Sequence, residues 1–149
     1  MDISGDTLAL LLAFVSGILM AVQGALNSGL SKVIGLLETT FVVHITGTIL
    51  IMLLLFAMKM GKGNLAAFGD APWYVYLGGA IGVGIIYLVA ASIPKVGAAN
   101  ATTAIIVGQV LTAIIIDHFG MFGLAQISYG WHQILGLILL AIGGKLLLS

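Results

Sequence analysis

Gln23, Asn27, His44, Tyr87, Thr103 and Gln109 are polar side chains set inside long apolar runs, and they are the residues here that could meet a solute. Carboxamides, hydroxyls and an imidazole donate and accept hydrogen bonds without a permanent charge. Such chemistry binds a molecule rather than breaking a bond. Histidine also exchanges a proton near neutral pH, so His44 is the candidate for proton coupling. Enzyme-like groupings are absent: there is no nucleophile, base and acid in a recognisable order, no pair of central carboxylates, no zinc-ligand spacing and no phosphate-cradling glycine loop with a lysine. No catalytic residue, metal or cofactor is expected. Asp117 stands apart, because a carboxylate ending an apolar helix faces the unfavourable end of the helix dipole. It needs a donor or a cation. Lys59 and Lys62 share its side of the membrane, and an inverted second copy would bring Lys32, Lys95 and Lys145 there as well. The ion pair expected at that interface is Asp117 with Lys95.

The elements that must position these residues are five apolar segments, at about 7–27, 39–58, 72–92, 97–116 and 129–148. Each approaches the ~20 residues that an α-helix needs to cross a hydrocarbon core. The chain is 61% apolar and 7% charged, against about a quarter charged in soluble domains. A soluble globular fold is excluded by that balance. A transmembrane β-barrel fits poorly too, since it would show weakly alternating segments of about ten residues. The fold class is therefore an all-α membrane protein, a single five-helix domain over 1–149. Asp2 and Asp6 stand where a signal peptide would carry basic residues, so no cleaved leader is expected. A net charge of zero argues against nucleic acid as a partner, and the lack of cysteine removes thiol chemistry.

Local signals set the expected helix ends. Glu38, Thr39 and Thr40 suit the exposed N–H groups at the start of the second helix. Pro72 opens the third, and Pro94 closes it at Ser92, because proline disfavours helical geometry in the residue before it. The third and fourth helices should then form a tight antiparallel hairpin. Asp117-His118-Phe119-Gly120 ends the fourth. The link Lys59–Ala71 is the longest, and reads as glycine-rich and polar. Small residues four apart, such as Gly24 with Ser28 and Gly78 with Gly82, mark places where helices can approach closely.

Five crossings put the termini on opposite sides. Lys59 and Lys62 then lie on the N-terminal side, and Lys32, Lys95 and Lys145 on the other, with no arginine. Orientation follows the Lys/Arg imbalance between short loops, which here is one charge. Such a chain is expected to insert both ways and to assemble antiparallel dimers. On the expected helix ends, Gln23, His44, Tyr87 and Thr103 fall about 6–9 Å inside one boundary, at 1.5 Å per residue. Four helices would thus supply one polar layer. Two readings stand: a hydrogen-bonded layer that holds the bundle, or a cavity lining that also meets a ligand. Gln109 lies nearer the middle of the fourth helix, and structural and functional roles are equal for it. No internal repeat is visible.

Specific runs carry a resemblance. Gln23-Gly24-Ala25-Leu26-Asn27-Ser28-Gly29-Leu30, His44-Ile45-Thr46-Gly47-Thr48 and Pro94-Lys95-Val96-Gly97-Ala98-Ala99 resemble the YdcZ-type membrane proteins. Above all, Gly108-Gln109 leading to Asp117-His118-Phe119-Gly120 does so. These are five-helix members of the drug/metabolite transporter superfamily, and the likeness covers nearly the whole chain. It implies a half-transporter of the bacterial inner membrane, five helices that make ten as an inverted dimer, around a cavity built mainly by the first four helices of each copy. It implies as partner a second copy or an opposite-orientation paralogue, and supplies no substrate. Glu38 and His44 depart from the small or apolar residues expected in relatives. The first helix also lacks the membrane-embedded glutamate on which small multidrug exporters rely. A neutral or zwitterionic solute is accordingly favoured over a strongly cationic one. The alternatives are a non-transporting subunit that stabilises another membrane protein, and a channel, which the lack of charged pore rings weakens.

Overall fold

The computed structural model describes residues 3–148; Asp2, used above to judge the N-terminus, and Ser149 lie outside the described residues. Five helices are long and apolar enough to cross a membrane: Gly5–Ile34, Leu36–Ala57, Trp73–Val96, Ala98–Phe119 and Trp131–Leu148. Their α-helical parts are α1 (Ile3–Ile34), α2 (Leu36–Met52), α3 (Leu77–Val96), α4 (Ala98–Phe119) and α5 (Trp131–Leu148). The chain divides into two compact units, residues 1–95 and 96–149.

In the first unit the helices run past their expected ends. α1 reaches Ile34, seven residues beyond position 27, and α3 reaches Val96, four beyond Ser92. Polar residues do not break these helices, because their hydroxyls bond their own backbone. Ser31 Oγ donates to the Ser28 carbonyl at 2.9 Å, and Ser92 Oγ to the Val89 carbonyl at 3.0 Å. Pro94 sits in the last turn of α3, where the donor it lacks costs a single bond near the helix end. What stops α1 is Gly35, which alone separates it from α2. Its φ of 96° and ψ of 163° lie where a side chain is strained. Thr39 and Thr40 do not cap N–H groups as expected. Their Oγ1 atoms donate to the Gly35 and Leu36 carbonyls, at 2.7 and 2.9 Å. Glu38 occupies the first turn of α2 with its carboxylate folded back against Gly35, a negative charge at the positive dipole end.

Packing in this unit places Asn27 and Ser28 of α1, Thr39 and Thr40 of α2, and Ala90 of α3 among the buried residues. Gly24 is where α1 meets α3: a Cβ added there would come within 3.0 Å of Val89 Cγ1 and 3.2 Å of Ile93 Cδ1. α2 continues into a wider π turn at Leu53–Ala57, closed by the Met58 N–H on the Leu53 carbonyl at 2.9 Å. The link that follows holds two short 3-10 turns, Leu65–Asp70 and Trp73–Tyr76.

In the second unit α4 packs against α5. Gly144 is buried, and a Cβ there would stand 3.4 Å from both Thr103 Cγ2 and Val107 Cγ2. α4 begins after Gly97, whose φ of 85° and ψ of 158° nearly repeat those of Gly35, and ends as expected at Gly120 in the left-handed region.

Candidate functional site

Of the polar residues singled out above, Gln23, Asn27, His44 and Tyr87 belong to the first unit, and Thr103, Gln109 and Asp117 to the second. In the first unit they form a staggered file rather than one layer. The His44 ring is tied to its own helix by Nδ1, 2.8 Å from the Thr40 carbonyl. A carbonyl can only accept, so Nδ1 carries the hydrogen and Nε2 of the neutral ring presents a lone pair. That Nε2 lies over α3 at Gly82, 3.7 Å from the place of an added Cβ. The Gln23–Asn27 stretch of α1, by contrast, is level with Val89 and Ile93. Seven residues of α3 separate Gly82 from Val89, about 10 Å at 1.5 Å per residue, and half-buried Tyr87 lies between. A layer across four helices would also need Thr103, which belongs to the second unit; within the first, His44 and the Gln23–Asn27 stretch meet α3 at different levels.

The two carboxamides of α1 face differently. Asn27 is buried in the helix packing, whereas Gln23, four residues earlier, is exposed. Gln109 of α4 is exposed as well. Thr103 serves helix packing: its Oγ1 donates to the Ala99 carbonyl at 2.9 Å, and its methyl faces Gly144 of α5. It borders a groove of about 260 Å³ between α4 and α5, whose other walls include Ile106, Leu139 and Leu140. No buried side-chain nitrogen or oxygen among the described residues lacks a partner.

Asp117 finds its donor within the second unit. Tyr129 Oη donates to Asp117 Oδ2 at 2.5 Å. The Asp117 carbonyl accepts from the Gly120 and Ile127 N–H groups at 3.2 and 2.9 Å, and Gln126 Nε2 donates to the His118 carbonyl at 2.8 Å. The link after α4 therefore folds back over the helix end and satisfies carbonyls that the helix cannot. The Asp117 carboxylate, by accepting the Tyr129 proton in a hydrogen bond, raises the Tyr129 pKa above its ordinary value, with burial and charge repulsion acting the same way. Tyr129 and Gln126 were not anticipated. The available signal was the misplaced charge of Asp117, which demanded a donor but did not say which. Among the described residues no group of three or more His, Cys, Asp or Glu could hold a metal ion.

Among curated proteins and solved structures, none matches this chain. The family model described as "Putative inner membrane exporter, YdcZ" matches residues 8–146, a range that takes in nearly all of the five spanning helices. The chain therefore belongs to the YdcZ family, as a multi-pass protein of the inner membrane.

Proposed function

We propose that the protein exports a small, hydrogen-bonding solute as a dual-topology antiparallel homodimer of the drug/metabolite transporter type, with a central cavity built from α1–α4 of both copies. One observation carries this reading: Gln23 and Gln109 lie within spanning helices with exposed side chains. Lipid offers a carboxamide no hydrogen bond, and polar groups at membrane depth face protein or a wet cavity. A second, inverted copy would cover both and turn them toward a shared space. Each site would then occur twice, related by a two-fold axis in the membrane plane, which suits alternating access. His44 Nε2, held as an acceptor, favours a solute that donates a hydrogen bond. Asp117 with Lys95 of an inverted copy would add an ion pair at the rim.

A thermal-shift screen of purified protein against metabolite pools is the first test, since a ligand that binds the folded state raises its stability. With a ligand in hand, Gln23→Ala and Gln109→Ala are expected to abolish binding and flux while the dimer stays folded. His44→Gln should keep flux and remove any pH dependence it has. Full activity in both alanine variants would reduce these residues to helix contacts.

A further inference from the structure

The link between the second and third spanning helices reads as polar by composition, yet it carries its largest apolar side chains on the outside. Leu65 is 65% exposed, Phe68 68% and Trp73 75%, and Met58 and Met60 are exposed beside them. The segment is ordered by its own contacts. Asn64 Oδ1 accepts from the Ala66 N–H at 3.0 Å, the Val75 N–H donates to the Pro72 carbonyl at 3.1 Å, and Tyr76 Oη donates to the Phe68 carbonyl. The Phe68 and Tyr76 rings lie 4.5 Å apart. An outward apolar surface of this kind marks a contact with something less polar than water.

Continuity says what that something is. The link runs from the end of one spanning helix into the start of another, so both of its ends are anchored at the bilayer boundary. Its side chains match the boundary: indole and phenol rings with a polar edge, and two lysines, Lys59 and Lys62, long enough to reach outward from an apolar stem. Tyr129 and Trp131 mark the start of α5 in the same manner. Counting crossings puts both starts on one membrane side. The connections on the opposite side are the single residues Gly35 and Gly97, with no aromatic residue in them.

We infer that residues 58–76, the link together with the opening turn of the third spanning helix, are a membrane-surface anchor, lying in the headgroup and ester layer of the phospholipid with Leu65, Phe68 and Trp73 turned inward. The inference is independent of any transport activity. Its test uses full-length Trp131→Phe protein, in which Trp73 is the remaining tryptophan, reconstituted in phosphatidylcholine vesicles. Trp131→Tyr serves if the phenylalanine variant does not fold by circular dichroism. Nitroxide-labelled lipid quenches the Trp73 fluorescence from either the ester region or the chain ends, and iodide quenches it from water. Quenching from the ester region about twofold stronger than from the chain ends is expected, with weak quenching by iodide. Leu65→Ser combined with Phe68→Ser should raise iodide access to Trp73. Dominant iodide quenching would place the link in water, and protection from all three quenchers would mean that protein covers it. Either result, or strongest quenching from the chain ends, overturns the anchor, and so does unchanged iodide access in the double serine variant.

Discussion

A carboxylate in the last turn of a helix opposes the helix dipole, and Asp117 is held there by a single phenol at 2.5 Å. The neutral phenol is the form that donates, so folding favours it and the Tyr129 pKa rises. The contribution is therefore complete below the ordinary tyrosine range and fades as pH climbs through the raised value. Ultraviolet titration of wild type against Tyr129→Phe should show the missing phenol ionising later than an ordinary tyrosine. Protection of the Ile127 amide, taken relative to its intrinsic base-catalysed exchange rate, should fall over the same alkaline window in wild type and show no such step in the variant. Gly24 gives a residue-scale test in the first unit. Gly24→Leu must displace Val89 and Ile93, and overpacking of this sort costs about 1–3 kcal/mol. A lower thermal midpoint in detergent, partly recovered by Val89→Ala, is the expected result.

At the scale of elements, helix ends account for the distribution of charge. Lys32, Lys95 and Lys145 occupy the last turns of α1, α3 and α5, His118 that of α4, and Lys59 follows the π turn after α2. Each lysine suits the negative end of a helix dipole. Successive helices end on alternate sides, so placing one basic residue at each end spreads them over both faces. The near-even spread of lysines thus has a cause in the helices themselves. The links that join them make a second test. Gly35 and Gly97 share one glycine-favouring backbone conformation, but only at Gly35 would a Cβ overlap the Glu38 carboxylate. Backbone strain of this kind costs about 1–3 kcal/mol. Gly35→Ala should therefore lower the thermal midpoint more than Gly97→Ala, and Glu38→Ala should close the gap between them. Equal losses would show that the carboxylate contact contributes nothing.

For the whole molecule, the decisive property is orientation. Cysteines placed singly at Gly63 and Ser149, in a chain without any of its own, are expected to react with impermeant reagent from both membrane faces. Labelling of each from one face alone would defeat dual topology. Three lysines inserted after Gly63 should bias the population toward one orientation, because they turn two lysines against three into five against three across the bilayer. If function needs an antiparallel pair, the same insertion should lower activity, and co-expression with an oppositely biased chain should restore it.

Five spans and membrane residence were legible in the amino-acid order, because hydropathy and charge act locally and lipid leaves a backbone few options. The ends of α1 and α3 were not. Asn27, Ser28, Ser31 and Ser92 read as a polar boundary, but hydroxyls bonded to their own helix and packing against neighbours carry the helices past it. Tertiary structure alone set the stagger of His44 against Gln23 and Asn27, because relative depth depends on how far each helix runs and on which small residue it crosses its neighbour. It also chose Tyr129 as the partner of Asp117. A donor twelve positions away reaches that carboxylate only once the link has folded back over the end of α4.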